Sequence, residues 1–198
     1  MREPSLMRIT RRFLVAPSLA RLIEKERGGR HVTEGYFADQ PRGSTCVRLE
    51  EGIGRLILVR HGSGERVEEV TDLPQGHAEA LLDLAQSGVA YRRIPLMLGP
   101  RGVQVFHFTA PELLDLVSVG FERDEHARGF QPLGWFGPEV TANPSYQNRS
   151  LALMGFPQEP ELELTDMSLN SLMDTLEQGA EVQRPRQQHA WLRERAAS

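Results

Sequence analysis

Residues 7–15 have the sequence Met-Arg-Ile-Thr-Arg-Arg-Phe-Leu-Val and predict a first β-strand, because isoleucine, phenylalanine and valine favour extended backbone. Side chains alternate across a strand, so Arg8, Thr10 and Arg12 share one face. Three side chains at this spacing can line an interior together. We expect that face to take part in binding, whatever the ligand.

The rest of the chain predicts many short strands and few helices. Seven further stretches rich in β-prone residues, separated by glycine and proline turns, lie at 31–38, 44–50, 56–60, 65–71, 91–97, 103–108 and 113–121. Helical patterns occur at 17–24 and 78–84. This order predicts a mainly β fold of the α+β class, an antiparallel barrel or sandwich rather than a βαβ sheet.

Composition limits the kinds of function. The 198 residues carry a formal net charge of −4, which argues against a nucleic-acid partner, and Cys46 is the one cysteine, which excludes an internal disulfide. No apolar run is long enough for a signal core or a membrane span, so we expect a cytoplasmic protein without a membrane partner. Lys25 is the one lysine. Any binding of an anion by positively charged side chains therefore depends mainly on arginine, which can bind a phosphate through two parallel hydrogen bonds.

The character of the sequence changes near residue 154, and we predict two parts, a β domain over residues 1–153 and an extension over 154–198. Apolar side chains in the extension recur at helical spacing at Leu169, Leu172, Met173 and Leu176. We expect one amphipathic helix, capped by Thr165 or Asp166 and followed by a loose tail. The helix either packs on the β domain or forms a contact in a homodimer.

A resemblance to a known family rests first on residues 134–152. The sequence Gly-Trp-Phe-Gly-Pro-Glu-Val-Thr at 134–141, followed by Tyr146, Asn148, Leu151 and Ala152, is similar to a signature of the CYTH domain, the family of adenylate cyclases, thiamine triphosphatases and other triphosphate tunnel metalloenzymes. Three shorter stretches resemble the family's early strands in the same order: 11–15, 34–37 and 44–49. The resemblance covers about residues 7–153 and implies a closed antiparallel β-tunnel with flanking helices.

The resemblance also implies where metal ligands belong, and this chain has lost most of them. The family opens with Glu-x-Glu-x-Lys, and the matching residues here are Arg8, Thr10 and Arg12. A later Glu-x-Glu pair falls on Ser118 and Gly120, unless a register slip brings in Glu122. Among the other acidic positions Glu68 is kept, with Glu69 beside it. Hard divalent cations need several oxygen ligands, so we expect no bound metal and no other cofactor.

The basic half of the family's site is better preserved. The resemblance assigns phosphate binding to Arg12, Arg48, Arg60, Arg66 and Arg93, with Arg92 as an alternative to Arg93. Glu50 stands where the family has a further arginine. We therefore predict a catalytically impaired relative, a pseudoenzyme, that binds a nucleotide, triphosphate, polyphosphate or other phosphorylated small molecule in an arginine-lined tunnel.

Two alternatives remain open from the sequence. The first is an active triphosphate hydrolase or cyclase that uses Mg²⁺ or Mn²⁺ on Glu68, Glu69 and Glu122. The second is a protein-interaction module whose barrel is neutralised internally, through an ion pair of Arg8 with Glu50 and another of Arg60 or Arg66 with Glu68. This second alternative predicts short guanidinium–carboxylate contacts and no open cavity, whereas anion binding predicts an open cavity lined by arginines.

Overall fold

Eight strands and five helices occur in the part of the chain that the computed structural model describes, which is residues 9–38, 40, 43–61, 66–158 and 160–183, with backbone alone at 61, 66 and 179–183. The strands are β1 Ile9–Leu14, β2 Arg30–Tyr36, β3 Gly43–Glu50, β4 Ile53–His61, β5 Arg66–Leu73, β6 Ser87–Leu98, β7 Arg101–Ala110 and β8 Leu114–Phe121. The helices are α1 Pro17–Arg27, α2 Gln75–Asp83, α3 Asp124–Gly129, α4 Asn148–Met154 and α5 Asp166–Gln183, and a 3₁₀ turn at Pro144–Tyr146 precedes α4.

All eight predicted strands are confirmed, with ends that differ by a few residues. Of the helices, α1, α2 and α5 are confirmed, whereas α3 and α4 are too short to show a periodic pattern and were not predicted. Arg8 and the predicted tail at 184–198 lie outside the described residues. No helix in the described part of the chain is both long and apolar enough to span a membrane.

The strands form one antiparallel sheet in the order β1-β8-β7-β6-β2-β3-β4-β5. The predicted closure into a barrel is not confirmed, because β1 and β5 are the two edges of the sheet and do not pair within the described residues. The sheet is therefore open along one side.

The outer edge of β1 is occupied by a loop, which explains why no strand closes the sheet there. The Leu14 N–H donates to the Pro138 carbonyl at 3.0 Å, and the Gly137 N–H donates to the Leu14 carbonyl at 2.8 Å. The Val140 N–H donates to the Arg12 carbonyl at 2.8 Å. Backbone groups that would pair with a closing strand are thus satisfied by residues 137–140. This loop belongs to the segment that carries the sequence signature.

The two faces of the sheet have different covers. On the outer face, α1 and α5 pack over β6, β7 and β8 in an apolar core that includes Ile23, Ile94, Val117 and Leu172. On the inner face, α4 packs against β2 and β6 in a second, smaller core. The inner face is only partly filled, and the polar side chains of the site lie in the remaining space.

The extension docks through α5, as one of the two alternatives predicted. Leu172 is fully buried and Leu176 nearly so. The Trp135 Nε1–H donates to Thr175 Oγ1 at 3.1 Å, which ties the helix to the signature segment. Thr165 Oγ1 accepts the Ser168 N–H at 3.1 Å, so Thr165 provides the predicted cap. Trp135 is buried and serves as an anchor of the core.

Candidate functional site

A cavity of about 780 Å³ opens on the inner face of the sheet, between β1–β5 and the segment that leads into α4. The strands and this segment both contribute to its charged and polar lining, which consists of Thr10, Arg12, Glu34, Tyr36, Gln40, Ser44, Cys46, Arg48, Glu68, Thr141, Gln147, Asn148 and Arg149. Strand alternation explains the set, because the antiparallel register puts Glu34 opposite Arg48, and Tyr36 opposite Cys46, on the same face.

Glu34 is the fully buried carboxylate beside this cavity, and it accepts four hydrogen bonds. Its Oε1 accepts from Arg48 Nε at 2.7 Å and from the Tyr91 hydroxyl at 2.8 Å. Its Oε2 accepts from the Tyr36 hydroxyl at 2.5 Å and from Asn148 Nδ2 at 3.1 Å. A carboxylate has about four acceptor positions, so Glu34 has none left for a metal ion.

Burial and partners set the protonation of this cluster. Burial alone would raise the pKa of Glu34, but the charge of Arg48 and the three other hydrogen bonds hold that pKa below its ordinary value. Burial, and then the charge of Glu34, raise the pKa values of Tyr36 and Tyr91, so both phenols stay protonated and donate. The same two causes raise the pKa of the Cys46 thiol to about 12. Cys46 is thus a buried residue of the core rather than a nucleophile.

Arg48 lines the cavity beside Glu34. Its Nε holds the carboxylate, while its side chain remains 31% exposed. Among the described residues, its two Nη nitrogens make no further hydrogen bond. Their N–H groups are therefore available to a ligand in the cavity.

Arg12 is the second arginine of the cavity, and its partners are neutral. Its Nη1 donates to the Tyr146 carbonyl at 2.6 Å, and both Nη nitrogens lie 3.3 Å from Asn148 Oδ1. The guanidinium also lies over the Phe106 ring, 5.5 Å from its centroid. Burial lowers the pKa of Arg12 and the nearby charge of Glu34 opposes this, yet arginine stays charged. No carboxylate of the described residues forms an ion pair with it.

The other predicted phosphate-binding residues lie elsewhere. Arg60 follows the cavity-lining Val59 in β4, so its side chain lies on the opposite, outer face of the sheet. There the exposed Arg60 side chain forms an ion pair with Glu69. Arg93 is on the inner face but pairs with Glu50 at 2.5 Å, away from the cavity wall. The alternative to Arg93, Arg92, pairs with Glu24 at 3.2 Å. Arg66 begins β5, and its side chain lies outside the described residues.

Sequence reasoning missed several residues of the site, among them Glu34 and Arg149. Glu34 lies on the same face of β2 as Val32 and Tyr36, because residues two apart in a strand share a face. Its position on a buried face could therefore have been predicted from the sequence. Arg149 lies in α4, which has no sequence pattern of its own. Its guanidinium is 5.6 Å from the centroid of the Tyr36 ring.

The predicted metal ligands are separated from one another. Glu68 lines the cavity, and Glu69 faces the other side of β5. Glu122 follows β8 and lies beside a second cavity of about 560 Å³. The register of β1 with β8 is regular, so no slip moves Glu122 into the strand. No group of three or more His, Cys, Asp or Glu side chains that could hold a metal ion occurs within the described ranges, and the residues present there do not fit a divalent ion.

Solved structures similar to this chain include two of NE1496. The crystal structure of the hypothetical protein NE1496 matches with a TM-score of 0.58 and 26% identity, over 74% of this chain and 98% of that one. The structure of the inorganic triphosphatase NE1496 matches with a TM-score of 0.58 and 25% identity, over 74% and 95%. No family model and no curated protein matches the chain.

These likenesses define the class of protein. The fold is of the CYTH type, and the resemblance predicted from the sequence is confirmed. A divergent member of this class is consistent with the likeness.

Proposed function

We propose that the 780 Å³ cavity binds a phosphorylated anion through Arg12 and Arg48, with Arg149 beside them, and without a two-metal site. One observation carries the proposal. Arg12 is a part-buried guanidinium that faces an open cavity, and its hydrogen-bond partners are the neutral oxygens of Tyr146 and Asn148. A charge in such a place is normally paired. A phosphate oxygen in the cavity would supply the missing negative charge.

The charge of the wall supports the same ligand class. Three arginines line the cavity against two glutamates, of which Glu34 is fully buried behind Arg48. Guanidinium groups form strong, geometrically specific hydrogen bonds to phosphate. The structure combines features of two predictions, because it has short guanidinium–carboxylate contacts and also an open cavity. We give the open cavity more weight as support for anion binding. A protein whose arginines were all neutralised by its own carboxylates would need no open cavity.

We further propose that catalysis is impaired. Four positions match carboxylates that the family has and this chain lacks: Arg8, which lies outside the described residues, Thr10, Ser118 and Gly120. Thr10 pairs with Gly120 across β1 and β8, and Ser118 lies two residues before Gly120. Thr10, Ser118 and Gly120 all open onto the second cavity of about 560 Å³. Hydroxyl groups and a glycine cannot replace the paired carboxylates that hold Mg²⁺ or Mn²⁺. The ligand would then be held without hydrolysis.

Triphosphate hydrolysis is the second candidate, because one of the similar structures is an inorganic triphosphatase. It is tested by phosphate release from tripolyphosphate in the presence of Mg²⁺ or Mn²⁺. Release at a rate that depends on the metal and is abolished by Glu68→Gln would favour this candidate over binding alone.

The binding proposal is tested by titration calorimetry with tripolyphosphate in a chelator. We expect the wild type to bind and Arg12→Gln to bind about tenfold more weakly or worse, because a charge-assisted hydrogen bond contributes about 1.5–3 kcal/mol. Arg60→Gln is the matched control, since it removes the same group from the outer face and should leave affinity unchanged. Absence of binding by the wild type to any tri- or polyphosphate would refute the proposal and favour the protein-interaction module.

A further inference from the structure

One buried carboxylate is connected to both arginines of the proposed site. Glu34 holds Arg48 directly through Nε, and it holds Asn148, whose amide oxygen accepts from Arg12. We propose that Glu34 is a positioning residue, which fixes the guanidinium groups of Arg48 and Arg12 for the anion. This inference rests on the proposed function and assigns a role that none of the sequence patterns indicated.

The geometry requires a carboxylate at this position. Two donors reach each oxygen of Glu34, and each pair contains one nitrogen donor. Arg48 has no acceptor atom, and Asn148 presents its nitrogen to Glu34 because its oxygen accepts from Arg12. A glutamine offers one oxygen and one NH₂ group. In Glu34→Gln, the NH₂ group would therefore face an N–H of Arg48 or of Asn148. One of these two side chains would lose its hydrogen bond to residue 34.

A simple electrostatic role for Glu34 makes the opposite prediction. Glu34 is a negative charge close to an anion site, so if charge were its whole effect, its removal would strengthen anion binding. If Glu34 positions the arginines, its removal weakens binding although the cavity becomes more positive. The sign of the change therefore separates the two roles.

The experiment compares Glu34→Gln with Glu50→Gln by titration calorimetry with tripolyphosphate, well below the melting temperature of each variant. Glu50 is the matched control because it is also a buried carboxylate on the inner face, yet it pairs with Arg93 away from the cavity. We expect Glu34→Gln to bind about tenfold more weakly, the effect of about one lost charge-assisted hydrogen bond, and Glu50→Gln to bind as well as wild type or slightly better. Glu34→Asp keeps both oxygens and the charge and should recover part of the affinity.

Binding by Glu34→Gln that equals or exceeds that of the wild type would overturn the positioning role while leaving the proposed function intact. Absence of binding by the wild type would overturn both. If Glu34→Gln does not fold, Asn148→Ala decides the question, since it removes the link from Glu34 to Arg12 at the start of α4. Weaker binding by Asn148→Ala supports the positioning role, and unchanged binding refutes it.

Discussion

Replacing Arg48 by methionine should destabilise the fold strongly at neutral pH. Arg48 is the charged partner of Glu34, with 2.7 Å between Nε and Oε1, and Glu34 is fully buried. Removing one partner of a buried ion pair typically costs about 3–5 kcal/mol, because the other charge is left uncompensated. Glu34 keeps the hydroxyls of Tyr36 and Tyr91 and the amide of Asn148, so we expect the lower value, about 3 kcal/mol. For a chain of this size that is a fall in Tm of about 6–12 °C.

The pH dependence identifies the cause of the loss. In the wild type the pKa of Glu34 is below its ordinary value, so its contribution to stability is present at neutral pH and is lost as the pH falls through the folded-state pKa. Without Arg48, burial dominates and the pKa of Glu34 rises above its ordinary value. Glu34 then takes up a proton at mildly acid pH, and the difference in Tm between wild type and variant should narrow from pH 8 to pH 5.

The assay is thermal unfolding followed by circular dichroism at both pH values, with Arg60→Met as the matched control. Arg60 pairs with Glu69 at the surface, where both side chains are more than half exposed, so its replacement should cost less than about 1 kcal/mol at either pH. The reasoning is refuted if Arg48→Met lowers Tm no more than Arg60→Met, or if the difference from wild type does not narrow at pH 5.

Two further predictions concern the scaffold. Gly137→Ala puts a Cβ 2.9 Å from the Leu14 carbonyl oxygen and should lower Tm, whereas Gly76→Ala, with no atom within 4 Å, should not; equal effects would contradict the account of the β1 edge. Burial raises the pKa of Asp115 to about 6, beside His107 at 2.6 Å. Stability therefore falls as the pH rises from 3.8 to about 6. Asp115→Asn should raise the free energy of unfolding by up to about 3 kcal/mol at pH 8 and by roughly half of that at pH 5, and an equal change in Tm at both pH values would contradict the assignment.

Much of the sheet could be predicted because strand alternation and turn residues are local signals. The face shared by Thr10 and Arg12 follows from period two in β1, and both residues line the cavity. Arg60 shows the limit of this reasoning. The family pattern selected it, but its phase relative to Val59 in β4 puts it on the outer face. The face of the strand on which a residue lies thus predicts cavity-lining residues better than the residue type does.

Two features could not be predicted: that the sheet stays open at β1, and that Glu34 is the centre of a hydrogen-bond network. Both depend on contacts between residues distant in sequence. The β1 edge is covered by residues 137–140, more than a hundred residues later, through backbone groups that carry no side-chain signal. The link from Glu34 to Asn148 spans 114 residues and enters through α4, which is too short to show periodicity. The alternation of side chains in a strand can predict that a carboxylate is buried. It cannot predict which side chains donate hydrogen bonds to that carboxylate, because they are brought there by the tertiary fold.

Arg12 and Arg48 carry different weight as indicators of a ligand. The fold itself needs Arg48, because a fully buried Glu34 would otherwise lack a positive partner. Arg48 would be required even if the cavity bound nothing. Arg12 contacts neutral oxygens and an aromatic ring, so nothing in its own surroundings neutralises it by contact among the described residues. A part-buried charge with no carboxylate in contact is the stronger sign of an anion, so loss of Arg12 should affect mainly affinity, whereas loss of Arg48 should also lower stability strongly.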